Sequence, residues 1–237
     1  MAREKIFRFK QFDVLNDRTA MKVGTDGVLL GAWCPVDHSR RVLDVGTGCG
    51  VIALMIAQRN SEATIQGIDI DRSAVEEATI NFANSPWSNR LAVDECDFND
   101  LVEHPSQYDL IVSNPPFFIE SLPPTDAART IARHTQTLSY KQLIEGAAQL
   151  LTDNGILAFI SPIETESDII ENSAFASLPV RHITRVFPKE GAAPKRILWT
   201  LSRQGGQYHE DSLTIIGRDG IYTDEYVELT GAFYIKM

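Results

Sequence analysis

Two stretches of the sequence hold residues whose types and spacing could do chemistry: Asn114-Pro115-Pro116-Phe117 and Gly46-Thr47-Gly48-Cys49-Gly50. In the first, consecutive prolines remove two backbone donors and stiffen the chain. The Asn114 side-chain oxygen and the Pro115 carbonyl are then left as a rigid acceptor pair beside an aromatic face, Phe117. Such a pair suits a planar exocyclic amino group like that of adenine. The lone pair of that nitrogen is delocalised into its ring, and two acceptors holding its hydrogens favour pyramidalisation and aim the lone pair at an electrophile. Phe117 would stack on the base. A base inside a folded RNA or a duplex must be extruded to reach such a pocket.

The second stretch lies between a short apolar run, Val42 to Val45, and a helix-like run from Val51 to Ala57. Alternate glycines at a strand-to-helix junction suggest a binding loop, because glycine tolerates positive φ and lets backbone approach a ligand. The spacing is G-x-G-x-G, not the G-x-G-x-x-G of dinucleotide sites, and Asp44 stands two places before Gly46. A carboxylate there repels a pyrophosphate and tolerates a cationic ligand with an amino-acid end.

These residues need a frame. From Arg41 onward the pattern alternates strand and helix, as a doubly wound sheet requires. Strands are expected at 41–45, 64–68, 91–93, 108–113, 156–160 and 180–187, with 197–202 returning antiparallel. The expectation is therefore an α/β, Rossmann-like fold: a seven-stranded, mostly parallel sheet with one antiparallel strand and helices on both faces. Asp153-Asn154-Gly155 reads as the stop of the helix that begins at Tyr140. Thr25 or Asp26 reads as the N-cap of a helix ended by Pro35, and the segment from Leu213 onward as a hairpin or edge appendage. The whole reads as one domain over 1–237: an N-terminal extension 1–40, a core 41–203 and a C-terminal β appendage 204–237.

Open α/β sheets bind ligands outside the carboxyl ends of their strands. The unusual polar residues fall there: Asp44, Asp69, Asp97 and Asn114 end successive strands. Asp69, with Ile70 beside it, stands where an acidic side chain accepts both ribose hydroxyls of an adenosine. Asp97 could accept from an adenine amino group while the Phe98 ring packs on the base.

Composition narrows the possibilities. The 237 residues, 43% of them hydrophobic, suit one sizeable α/β domain. There is no apolar window of membrane-spanning length, and the charged start Met-Ala-Arg-Glu-Lys has no apolar run behind it, so a cytoplasmic protein without membrane contact is expected. Cys34, Cys49 and Cys96 are far apart and the five histidines show no ligand spacing, so neither disulfides nor a metal is expected. A net charge of −10 opposes nonspecific binding to a polyanion. Arg3, Lys5, Arg8 and Lys10 against the single Glu4 make the first ten residues the exception.

The glycine loop, Asp69, Asp97-Phe98 and Asn114-Pro115-Pro116-Phe117, in this order, resemble the class I S-adenosylmethionine-dependent amino-methyltransferases. Phe9-Lys10-Gln11-Phe12, Lys22-Val23-Gly24-Thr25-Asp26, Tyr222 to Tyr226 and Phe233 to Lys236 extend the resemblance over essentially the whole chain, to the bacterial tRNA1(Val) (adenine-37-N6)-methyltransferases. The resemblance implies S-adenosylmethionine as methyl donor, S-adenosylhomocysteine as product, a tRNA adenine beside the anticodon as acceptor, and Lys22 to Asp26 folded over the cofactor. On it, Lys22, Gly24, Thr25, Asp44, Gly46, Gly48, Gly50, Asp69, Ile70, Asp97, Phe98 and Asn114 would hold the cofactor, and Asn114, Pro115, Pro116 and Phe117 would act in catalysis. A monomer is the expected assembly. Arg129, Arg133 and His134, in the long loop after Phe117, and Lys189, Lys195 and Arg196 are the candidate phosphate contacts, together with the basic first ten residues.

The same motif also serves methylation of protein glutamine, guanine N2 and DNA adenine. The short segment before the glycine loop speaks against the glutamine enzymes, which carry a separate helical domain there. A non-catalytic RNA-positioning partner has no need of the intact Asn114 tetrapeptide, and a nicotinamide dehydrogenase does not fit the glycine spacing.

Overall fold

The computed structural model describes residues 5–17, 19, 22–103, 107–116 and 138–236. Its strands are β1 (Ile6–Arg8), β2 (Asp13–Leu15), β3 (Arg41–Val45), β4 (Thr64–Asp69), β5 (Leu91–Glu95), β6 (Tyr108–Ser113), β7 (Leu151–Pro162), β8 (Val180–Lys189), β9 (Arg196–Leu201) and β10 (His209–Ile216). Its α-helices are α1 (Thr25–Trp33), α2 (Val51–Arg59), α3 (Arg72–Ala83), α4 (Phe98–Glu103), α5 (Tyr140–Leu150), α6 (Glu166–Phe175) and α7 (Asp224–Thr230). Eight strands form one sheet in the order β10-β8-β9-β7-β6-β3-β4-β5. Only β9 runs against its neighbours.

Period-two alternation along the central strands builds two cores. Val42, Ile65, Leu110 and Val112 face one cluster, shared with residues of α1, α2 and α3. Leu43, Val45, Ile68 and Ile111 face the other, shared with α4, α5 and α6. Asp44 shares the face of Val42, so its carboxylate is carried under α1 and α2 and is fully buried. Those two helices approach closely at Gly31, where a Cβ would stand 2.8 Å from Met55 Sδ. Such an approach fixes the start of α1 over the end of β3.

The expected sheet has seven strands and the observed one eight. The extra strand is β10, which pairs parallel to β8, and the segment after it is α7 instead of the second arm of a hairpin. Thr223 caps α7 by accepting from Tyr226 N–H. Aromatic residues at 222, 226, 233 and 234 suggested strand, but here Tyr226 and Phe233 pack into the core from a helix and a turn. Asp153-Asn154-Gly155 does not end the element either. It lies within β7 as an irregularity opposite Tyr108 and Leu110, and at Gly155 a Cβ would stand 2.9 Å from the Tyr108 carbonyl oxygen. The β1–β2 hairpin clasps the other end of the chain: Lys10 N–H donates to Phe233 O at 2.8 Å and Phe9 bridges to Tyr234. No helix among the described residues is long and apolar enough to cross a membrane.

Candidate active site

The order of strands reverses at β3, flanked by β4 and β6, and the glycine loop and Asn114 emerge side by side from the carboxyl ends of β3 and β6. Gly46, Gly48 and Gly50 all have positive φ, at 68°, 56° and 82°. Among the described residues, a Cβ on Gly46 or Gly48 would meet nothing within 4 Å, whereas one on Gly50 would stand 2.4 Å from Phe82 Cε1. The third glycine therefore faces α3, and the first two face the cavity that they line. Beneath the loop, Asp44 Oδ2 accepts from Thr47 Oγ1 at 2.7 Å, while Oδ1 is buried without a close hydrogen-bond partner among the described residues. Burial lifts the Asp44 carboxyl to about 7, against the opposing effect of the Thr47 bond.

A cavity of about 460 Å³ opens over this loop, within the usual range of small-molecule sites, about 300–1,000 Å³. It is lined by Gly46, Thr47, Gly48 and Cys49 of the loop, by Lys22, Gly24, Thr25 and Asp26 at the start of α1, and by Asn114 and Arg196. The Asn114 amide stands close to α1, with Nδ2 3.9 Å from the point where a Cβ on Gly27 would lie. Pro115 is buried and Pro116 exposed.

Asp69 and Asp97 follow the adjacent strands β4 and β5, tied together by Cys96 N–H donating to Asp69 O at 3.0 Å. Asp69 Oδ2 accepts from Gly48 N–H and Oδ1 from Asp71 N–H, both at 2.9 Å, and burial raises its pKa. Asp71, in turn, caps α3 by accepting from Ser73 N–H. Asp97 Oδ1 accepts from Asn99 N–H at 2.8 Å at the start of α4. Ile70 is exposed beside Asp69. The expected place of the Phe98 ring on a base is not what the structure shows. The ring is buried among the side chains under α5, where a Cβ on Gly146 would stand 2.5 Å from Phe98 Cε1. An apolar ring at the first turn of α4 gains more from that core than from the carboxyl edge of the sheet.

A family model for the methyltransferase small domain matches residues 21–182, which include the glycine loop, Asp69, Asp97 and Asn114 to Phe117. The chain is 45% identical, over 98% of its length and 100% of the relative's, to a Flavobacterium psychrophilum protein named tRNA1(Val) (adenine(37)-N6)-methyltransferase. The chain belongs to this methyltransferase family. An Aeromonas hydrophila relative with the same name is 42% identical over the full length of both chains. Among solved structures, an Agrobacterium tumefaciens protein described as a predicted O-methyltransferase aligns with a TM-score of 0.70 at 20% identity, covering 88% of this chain and 96% of that one. At that identity the likeness speaks for the fold.

The candidate site rests on supports that sequence reading passed over. Asn81, buried on α3, donates to Cys49 O at 2.8 Å and to Leu15 O at 3.0 Å, and accepts from Leu15 N–H at 2.7 Å, joining the glycine loop to β2. Glu77, one turn earlier and fully buried, accepts from Asp17 N–H at 2.9 Å and Thr19 Oγ1 at 3.0 Å. Lys22 Nζ donates to the carbonyls of Asp17 and Thr19, both at 2.7 Å, which sets its position on the cavity wall. Polar residues at i and i+4 on the buried stripe of an amphipathic helix were the signal for Glu77 and Asn81. Thr47, between two glycines, had no such signal.

The N-cap of α1 also differs from expectation. Gly24 holds that place with no side-chain cap, and Asp26 instead pairs with Arg196 Nε at 2.8 Å. Arg196 therefore lines the cavity as well as being a phosphate-contact candidate. Lys189 and Lys195 are exposed at the two ends of the β8–β9 turn, which leads directly to it. In the basic first ten residues, Lys10 Nζ donates to Gly231 O at 2.5 Å and Arg8 stands 3.9 Å from Asp13, so those cations also serve local structure. Phe117, Arg129, Arg133 and His134 lie outside the described residues.

Proposed function

We propose that the chain transfers a methyl group from S-adenosylmethionine to the N6 of adenine 37 in tRNA1(Val). The observation that carries the reading is that Asn114, at the end of β6, opens on the same cavity as Gly46 and Gly48. Full-length relatives at 42–45% identity bearing that activity in their names support the choice of acceptor.

The residues fit the methyl donor. Gly46 and Gly48 leave the space a side chain would fill, and Asp44 offers a buried, unsatisfied carboxylate oxygen beneath it. That oxygen suits the ammonium end of an amino acid, and Lys22 and Arg196 suit its carboxylate. Asp69 and Asp97, on neighbouring strand ends, would take the ribose and adenine. When bound, S-adenosylmethionine supplies an electrophilic methyl group. The chain's own part is to present the nucleophile: the Asn114 side-chain oxygen and the Pro115 carbonyl accept the two N6 hydrogens, hold the amine pyramidal and stabilise the positive charge that develops on it. The stacking partner of the base would be Phe117. The proton is shed to water after the new C–N bond has formed, so no strong base is needed. With tRNA as the substrate, the cytoplasm is the expected location.

The test is methyl transfer from labelled S-adenosylmethionine to unmodified total tRNA, followed by nucleoside analysis and mapping. N6-methyladenosine at position 37 of tRNA1(Val) is the expected product. Label in guanine, or in protein glutamine when protein is supplied, would overturn the acceptor while leaving the fold intact.

A further inference from the structure

Away from the cavity, the edge of the sheet brings together side chains that the sequence holds apart. β8 and β10 run parallel, with His182 opposite His209 and Thr184 opposite Asp211. His182 Nε2 stands 3.1 Å and His209 Nε2 3.3 Å from the same oxygen, Asp211 Oδ2. One ligating atom from each of the three residues lies within 4.8 Å of the other two. Metal–ligand distances of about 2.0–2.2 Å put neighbouring ligands of a tetrahedral zinc ion roughly 3.3 Å apart. Both nitrogen–oxygen pairs are already at that spacing.

The carboxylate is also held from behind. Thr184 Oγ1 donates to Asp211 Oδ1 and accepts from Trp33 Nε1 at 2.9 Å. This fixes Asp211 with Oδ2 turned to the imidazoles, the arrangement by which an outer hydrogen bond orients a metal ligand. Thr184 is buried, whereas His209 and Asp211 are exposed, so the open side of the cluster faces solvent and can admit water as a fourth ligand.

We propose that His182, His209 and Asp211 form a binding site for a divalent first-row transition metal such as zinc, which two imidazoles and one carboxylate can hold. The ion joins edge strand β10 to β8 and, through Thr184 and Trp33, to the last turn of α1. None of the three residues lines the glycine-loop cavity, so the ion acts on the sheet edge and not on methyl transfer.

The probe is cobalt(II), titrated into the metal-free full chain and followed by its visible d–d absorption. Wild type is expected to take up one equivalent with a tetrahedral-type spectrum that zinc abolishes. His209→Ala, a change at an exposed side chain, is expected to lose that spectrum while keeping wild-type methyl transfer and metal-free unfolding temperature. Thr184→Val should weaken binding about 10–100-fold, as expected for loss of an outer-shell partner. Zinc should raise the unfolding temperature of wild type and not of His209→Ala. No stoichiometric uptake by wild type would overturn the proposal. Equal uptake by His209→Ala would do the same, by placing the metal on other ligands.

Discussion

Arg196 Nε and Asp26 Oδ2 stand 2.8 Å apart, an ion pair that ties the start of β9 to the first turn of α1 across the wall of the glycine-loop cavity. Both side chains are only about a quarter to a third exposed, at 31% and 25%, so water screens the pair less than it would a surface bridge. Asp26→Asn and Arg196→Ala should each destabilise the fold by about 1–3 kcal/mol, as for a hydrogen bond to a charged group. Urea unfolding of both single variants and of the double variant checks this. The double variant should cost less than the two singles together, because the partners act on one another.

The buried Asp44 carboxyl makes stability depend on pH in a stated direction. Its pKa is 3.8 when unperturbed and about 7 in the fold, so between those values the folded chain binds more protons than the unfolded one. The stabilisation is fully present below pH 3.8 and is lost as pH rises through about 7. Asp69, also raised by burial, adds in the same sense. Asp44→Asn should flatten the fall in ligand-free stability across that window, read from denaturation midpoints at several pH values.

Two loop glycines should separate binding from folding. At Gly48, with φ 56°, an alanine Cβ enters open cavity space; Gly48→Ala should cost about 1–2 kcal/mol for the left-handed conformation, and weaken S-adenosylhomocysteine binding more than tenfold. Gly50→Ala, which would press against Phe82 at 2.4 Å, should damage folding itself. Unfolding temperature and ligand affinity, measured on both variants, give the contrast.

The exposed Lys189 and Lys195 flank the turn that ends at the cavity wall. If each meets a phosphate, each alanine substitution should lower the slope of log affinity for tRNA against log salt by about 1, with little change in binding of the methyl donor. An unchanged slope would remove these two residues from the RNA face.

Much of this was legible because it is local. Alternate glycines after an apolar strand, an acidic residue at each strand end and Asn-Pro-Pro after β6 are short patterns whose backbone requirements are specific. What could not be read depends on partners remote in sequence. Phe98 had a plausible place on a base until Gly146, on a helix far along the chain, offered it a core. Asp26 looked like a cap, and it took the antiparallel return of β9 to bring Arg196 to it. The histidines showed no ligand spacing because the register of β8 and β10, not the sequence interval, sets His182 beside His209. An eighth strand went unread because the polar start His209-Glu210-Asp211-Ser212 lacks the apolar alternation of a core strand; one face of an edge strand needs little of it.

The most direct measurement is single-turnover methyl transfer to unmodified tRNA1(Val) by wild type and Asn114→Ala, with the affinity of each for S-adenosylhomocysteine measured alongside. Loss of one preorganised polar contact to the reacting group should slow the chemical step about 10²–10³-fold, while ligand affinity stays within about tenfold, since Asn114 is one of many residues lining the cavity. A rate within a fewfold of wild type at intact affinity would contradict the assignment of Asn114 as the residue that holds the amino group.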